Sequence, residues 1–219
     1  MLSYFEVSAE ASHICGDLLK STKQVKYNHK YLQRTLEIMD YDDFPDKFDQ
    51  IMFELDSFII TKNPFSNHRN NEFKCISDSH SSLLNHLKSM RKRVARKIKI
   101  MKFLKKGCCL LALIMVPTKF LGEIYAQIDI AAKGTYILNR DLDTMSRLVT
   151  KLHDEVEHNK EMVQFCLERK YDRFTIQIVR EFIKSENGFR QQVEELEEHV
   201  YLCLLTINRA RGLVIKEMT

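Results

Sequence analysis

"AQIDIAAKGTYILNRDLDTMSRLVTKLHDEVEHNK", residues 126–160, decides the fold class. Ile128, Ala131, Thr135, Leu138, Leu142, Met145, Val149, Leu152, Val156 and Asn159 alternate by three and four without slipping. Only a helix brings residues at that spacing onto one face. The step reaches back to Ile124 and on to Val163 and Cys166, so it predicts one helix from about Lys119 to Lys170 with a coiled-coil-like seam. Gly134 weakens such a helix by up to ~1 kcal/mol relative to alanine, and the pattern carries through it. Asn159 is read as a polar seam residue that sets register.

The same grammar runs outward in both directions. Phe189, Val193, Leu196, Val200, Cys203, Ile207, Ala210 and Val214 predict a last helix over about Phe174–Lys216. "KSENGF" (184–189) either hinges it or restarts it, with Ser185 as cap. Towards the start, Tyr4, Ala11, Leu18, Val25, Leu32 and Met39 recur every seventh residue and predict a helix from Ser3 to Asp40. Their partners are apolar at Val7 and Ile14 and polar at Ser21, Asn28 and Thr35, so the buried stripe narrows along it. "DYDDFPDKF" (40–48) breaks the pattern, with Asp42 or Asp43 able to cap a second helix, Pro45–Thr61, that has Pro45 in its first turn. Phe48, Met52, Leu55 and Phe58 or Ile59 form its apolar face. "KNPFSNHRNN" (62–71) ends it, because Pro64 biases Asn63 away from helical geometry. A third helix, Asn71–Lys106, carries Phe73, Ile76, His80, Leu83, Leu87, Met90, Val94, Met101 and Leu104 at the helical spacing, with Lys97 as the exception.

Only 6 Gly and 3 Pro punctuate 219 residues, which argues against folds built from many turns. Short connections place sequential helices antiparallel. The expected fold is therefore all-α, an elongated antiparallel helical bundle with coiled-coil-like long helices. It divides into an N-terminal region over 1–106, a short apolar connector over 107–117 and a long-helix hairpin over 118–219, together one structural unit.

The net charge of +4 conceals an asymmetry. Residues 88–106, "KSMRKRVARKIKIMKFLKK", hold ten Lys or Arg and no acid, so removing them takes the remainder from +4 to −6. A concentrated basic helix points to an anionic partner. Six cysteines, at 15, 75, 108, 109, 166 and 203, form no CxxC pair. With no secretory leader and no Asn-x-Ser/Thr acceptor, they read as free thiols in a reducing, cytosol-facing setting.

After Gly107 come nine apolar residues, Cys108–Val116, and then Pro117. As a helix they cover about 13–14 Å, against a bilayer hydrocarbon core of ~30 Å. Lys105, Lys106, Lys119 and Glu123 flank them, so a conventional membrane span is disfavoured. Three readings remain. The run closes one end of the bundle, with Pro117 starting the return helix. Alternatively, it is the tip of a peripheral membrane contact. Lys88, Arg91, Lys92, Arg93, Arg96, Lys97, Lys99, Lys102, Lys105 and Lys106 then meet anionic headgroups at about 1 kcal/mol each, and Cys108 and Cys109 are candidate acylation sites. The third reading takes 91–106 as a nuclear-import or nucleic-acid patch. It has the weakest support, since no zinc module, aromatic platform or known recognition motif accompanies the charge.

No catalytic, cofactor-binding or metal-ligating set emerges. His153 and His158 in "LHDEVEH" are five apart, and Asp154 follows the first, whereas a zinc protease helix needs histidines four apart with Glu directly after the first. Glu155 and His158 supply half of a di-iron bundle motif, but "EELEEH" puts Leu196 where the second glutamate belongs, three before His199. "AAKGTY" lacks the rest of a phosphate loop. His80, alone on an apolar seam, reads as packed and hydrogen-bonded.

Several phrases, in order along nearly the whole chain, carry a family resemblance: "ICGDLLKSTKQVKYNHKYLQR", "FELDSFIITKNPFS", "LKSMRKRVARKIK", the 126–160 stretch and "QVEELEEHVYLCLLTINRARGLVIKE". The chain resembles the plant uncharacterised protein family 0496, which includes the integrin-like AT-fourteen-A proteins. The resemblance implies an α-helical membrane protein without known enzymatic activity, some of whose members are linked to wall, plasma membrane and cytoskeleton continuity. The family has a longer apolar region after the basic segment. This chain departs there, passing from "KKGCCLLALIMVP" to "TKFLGEIY" at once. The resulting expectation is a non-enzymatic tether or scaffold on the cytoplasmic face of the plasma membrane. Its partners would be anionic lipid and cytoskeletal or other coiled-coil proteins, with homo-oligomerisation open and no cofactor. The rival is a soluble coiled-coil adaptor, cytoplasmic, with the apolar run as core.

Overall fold

The computed structural model describes residues 2–38, 44–66, 73–107, 111–169, 174, 177, 181 and 187–217, with 36–38, 44–48, 50, 104–107 and 111–118 described in backbone alone. Every extended regular element among them is an α-helix: α1 (Leu2–Ile38), α2 (Phe44–Ile60), α3 (Phe73–Gly107), α4 (Leu111–Glu168) and α5 (Asn187–Lys216). The all-α bundle expected from the heptad spacing is the fold. The proposed caps Asp42 and Asp43, and the Ser185 restart, lie outside the described residues.

The seams are buried as their spacing requires. On α4, all twelve positions from Ile128 to Cys166 at the three-four step are buried, Thr135 and Asn159 included. On α5 the eight seam residues from Phe189 to Val214 are buried, and on α1 so are Tyr4, Ala11, Leu18, Val25 and Leu32. Each large apolar side chain removed from water contributes about 1.5–3 kcal/mol, so summed seam burial stabilises these helices far more than helix propensity does. Thr135 sits in the seam at low cost because its Oγ1 donates to the Ala131 carbonyl at 2.8 Å.

The chain divides into two compact units assembled from separated segments: residues 1–15, 73–143 and 201–219, and residues 16–72 and 144–200. In the first, Tyr4, Leu83, Leu84, Leu87, Ile128, Ala131, Ala132, Ala210 and Val214 form the core. Helices α3 and α4 run antiparallel there. Ser77 Oγ donates to Asn139 Oδ1 at 3.4 Å, and further along α3 Arg91 reaches back to Asp129 at 2.6 Å. Helix α5 is antiparallel to α4 in the same unit. Gln127 Nε2 donates to the Glu217 carbonyl at 2.6 Å, and Gly134 faces Ala210. A Cβ at Gly134 would lie 3.0 Å from Ala210 Cβ and 3.3 Å from Tyr4 Oη, so the glycine is what lets α4 approach α5 and α1.

In the second unit, Leu32, Ile51, Met52, Leu55, Phe58, Val163 and Cys166 form the core. The stretch after α2 is fastened to α4 through Asn63. Its Nδ2 donates to the His153 carbonyl (3.1 Å) and to Glu157 Oε1 (2.6 Å), and its Oδ1 accepts from the Phe65 N–H (3.0 Å). Ser21 Oγ of α1 donates to the Pro64 carbonyl at 3.1 Å, and Phe65 is fully buried.

One boundary differs from expectation. α4 starts at Leu111 and passes through Pro117 rather than beginning after it. Proline removes one backbone donor and crowds the preceding turn, so it reads as a helix start. Here it stands inside the opening turns of a helix 58 residues long.

Candidate functional site

Along the basic half of α3 the core thins, with Met90 and Val94 still packed against it and the remaining faces open. Leu83, Leu84 and Leu87 are buried, but no described side chain of α3 beyond Leu87 is. Met90, Val94, Ile98 and Met101 continue the inner stripe and are only half-buried. Lys88, Lys92, Arg93, Arg96, Lys97, Lys99 and Lys102 are exposed. Arg91 is different: its Nη1 lies 2.6 Å from Asp129 Oδ1, and Lys133 Nζ lies 2.7 Å from Asp129 Oδ2. Hydrogen bonds from Lys133 and then Arg91 hold the Asp129 carboxyl below its ordinary value. Arg91 therefore ties α3 to α4, while seven other cations project outward. The side chains of Lys105 and Lys106, and residues Cys108 and Cys109, lie outside the described residues.

Exposed apolar side chains interrupt this cationic surface. Ile100 is 59%, Phe103 79% and Phe120 60% exposed. Phe103 follows Lys99 by one helical turn and Arg96 by two, so it shares their outward face. Between the two helices, Lys97, Ile100 and Met101 of α3 and Phe120 and Leu121 of α4 line an open groove of about 380 Å³. No described residue of α1, α2 or α5 lines it. Such a surface can attract anions over a distance and offer apolar contact at close range. The cations are legible from composition; the outward aromatics are not, and the one available signal is the place of Phe103 one turn from Lys99.

The other singled-out residues do not assemble a second site. His153 is buried and His158 exposed, so the two do not share a face. Among the described residues, no group of three His, Cys, Asp or Glu is placed to hold a metal. His80 is buried as expected, with the Val7 backbone as its nearest hydrogen-bonding neighbour, beyond strict hydrogen-bond geometry. Burial pushes its pKa down to about 4, against a smaller opposing pull from the Val7 backbone. Cys15, Cys166 and Cys203 are buried free thiols and Cys75 an exposed one. Burial raises the Cys166 thiol to about 11; a hydrogen bond with Cys15 and then burial raise Cys203. Asn159 lines a small cavity with Asn28, His29 and Lys160. Among the described residues, no helix is long and apolar enough to cross a membrane.

The whole chain aligns with "UPF0496 protein At1g20180" of Arabidopsis thaliana at 31% identity, covering 70% of that protein. "Putative UPF0496 protein 2" of Oryza sativa subsp. japonica is 44% identical over 47% of the chain and 26% of its own length. "UPF0496 protein At3g19250" of Arabidopsis thaliana is 40% identical over 46% of the chain and 28% of its own length. The matched part thus spans little more than a quarter of the latter two. The first alignment covers 275 positions against 219 residues here, so within it that relative carries at least 56 residues (275 − 219) opposite gaps in this chain. No family model matches the chain, and no solved structure does.

Proposed function

This chain belongs to the UPF0496 protein family, and we propose that it is a non-enzymatic helical protein that attaches to an anionic membrane surface through the basic half of α3. The observation that carries the reading is the run of exposed cations from Lys88 to Lys102 in a segment without a single acid. At about 1 kcal/mol for each Lys or Arg near the headgroups, three or four engaged side chains supply about 3–4 kcal/mol, a millimolar-range attraction that further cations and apolar contact deepen. On this reading the bundle serves as a tether or scaffold at the cytoplasmic face of the plasma membrane. Cys108 and Cys109 are candidate acylation sites that would convert reversible contact into stable anchoring.

Flotation with phosphatidylserine-containing vesicles tests it. The unlipidated protein should float at low salt, and high salt should reduce the floated fraction. Arg93→Gln/Arg96→Gln/Lys99→Gln should lower affinity by about a hundredfold. Absence of flotation at low salt would remove the electrostatic attachment. Protein made in plant cells, beside Cys108→Ser/Cys109→Ser, tests acylation.

A second reading has its own support. Tyr201, Leu202, Leu205 and Leu213 are exposed on α5, an apolar row facing away from its buried seam. A coiled-coil adaptor would use such a row for a partner helix, and pull-down with Leu202→Gln/Leu205→Gln as control distinguishes that role.

A further inference from the structure

We infer that Ile100, Phe103 and Phe120 form an apolar wedge that enters an anionic bilayer below its headgroups, with the surrounding lysines and arginines held at headgroup level. This rests on the membrane reading above and adds a depth and a set of residues to it.

Three observations meet at this spot. First, all three side chains are more than half exposed, though the helices that carry them bury their apolar seams elsewhere in the same unit. Second, Ile100 and Phe120 come from different helices and line one open groove with Met101 and Leu121, while Phe103, outside the groove, neighbours Ile100 three residues on along α3. Third, exposed cations flank it: Lys97 lines the groove, Arg96 and Lys99 share the outward face of Phe103, and Lys119 stands beside Phe120 on α4.

The combination selects the occupant. An acidic protein surface or a nucleic acid satisfies the cations but offers no apolar phase for an isoleucine and a groove lined by Met101 and Leu121. A plain apolar partner helix satisfies the groove and leaves the lysines unanswered. The headgroup boundary of an anionic bilayer supplies both within the 5–10 Å over which interfacial helices bury their apolar faces. Phenylalanine and isoleucine immersed there, with long basic side chains reaching back to the phosphates, repeat the arrangement by which amphipathic helices hold a membrane surface.

The chain has no tryptophan, so a single substitution gives an unambiguous depth probe. Phe103→Trp and Phe120→Trp, made separately in the full chain, are titrated with phosphatidylserine/phosphatidylcholine vesicles containing brominated acyl chains. The expected result is a blue-shifted emission on binding and quenching strongest for bromines close to the headgroup, with part of the binding surviving high salt. Ile100→Ala/Phe103→Ala/Phe120→Ala should keep its helical circular dichroism, since the three side chains are exposed, and lose about tenfold or more in vesicle affinity. Vesicle binding with unshifted emission and full release by salt overturns the wedge and leaves electrostatic attachment standing. No vesicle binding overturns both. Emission already blue-shifted without vesicles, in a protein that sediments as a dimer, overturns the wedge in favour of a second copy. A single-stranded oligonucleotide that competes the Phe103→Trp variant off vesicles and quenches its indole emission overturns it in favour of nucleic acid.

Discussion

Asn63 Nδ2 lies 2.6 Å from Glu157 Oε1, a contact spanning 94 residues of sequence that clamps the stretch after α2 onto the C-terminal part of α4. The same amide group also donates to the His153 carbonyl, and Asn63 Oδ1 holds the Phe65 N–H. Removing the amide leaves a buried carbonyl and a buried N–H without that partner. Asn63→Ala should cost about 2–3 kcal/mol, read as a lowered urea midpoint with the slope unchanged. Asn63→Asp should cost at least as much, because it sets a carboxylate against Glu157.

Two glycines make opposite predictions. Gly134→Ala gains up to ~1 kcal/mol of helix propensity but forces a methyl to 3.0 Å from Ala210 Cβ, and overpacking of that kind costs about 1–3 kcal/mol. The net outcome should be destabilising. Gly122→Ala meets nothing within 4 Å and should stabilise by about 0.5–1 kcal/mol. Thermal unfolding of the two variants beside the parent decides it; equal shifts would mean that α4 does not approach α5 as closely as described.

His80 gives the fold an acid-side liability. Its folded pKa, about 4, lies below its ordinary value of 6.5, so below pH 6.5 the unfolded chain takes up a proton that the folded chain refuses. This contribution is intact above pH 6.5 and is lost as pH falls. The loss reaches about 2 kcal/mol at pH 5 and ~3 kcal/mol near pH 4, where the folded form begins to protonate as well. His80→Leu should remove this part of the slope and, by replacing a buried unsatisfied imidazole, should not lower stability at pH 7. Urea unfolding at pH 7 and pH 5 for both proteins isolates the difference, and an unchanged slope in the variant would assign the titration to another group.

The Arg91–Asp129 pair is half-exposed, so its stabilisation is small. Arg91→Gln and Asp129→Asn should each cost about 0.5–1 kcal/mol, with a double mutant less destabilised than the sum. Because the folded Asp129 pKa is depressed, its share of stability is present above the ordinary aspartate range and is lost as pH falls through the folded value. In vesicle assays Arg91→Gln should weaken binding less than Arg96→Gln, since Arg91 is already engaged with Asp129.

The architecture was readable because α4 and α5 repeat one spacing for many turns, and every seam residue from Ile128 to Cys166 is buried. Local pattern reports which face is apolar, and in a helical bundle that nearly suffices. It failed where the answer depends on a distant partner. Nothing near Asn63 announces Glu157, and nothing near Gly134 announces Ala210, because each contact exists only once the helices are packed. Pro117 misled for the opposite reason: its local effect is strong, yet α4 runs through it. At the candidate site the cations were evident from charge alone. Whether Phe103 pointed in or out was not, since at the helical spacing an outward phenylalanine differs from a seam residue by a single position.

The division into two units, each assembled from separated segments, has a practical corollary. Any single cut between residues 16 and 200 splits both at once, so neither half of the molecule can be isolated by shortening the chain from one end. Deletion series meant to map where this protein attaches will report collapse rather than location. Point substitutions on exposed positions, or an excised segment bridged by a designed linker, are the forms of dissection that leave the remainder intact.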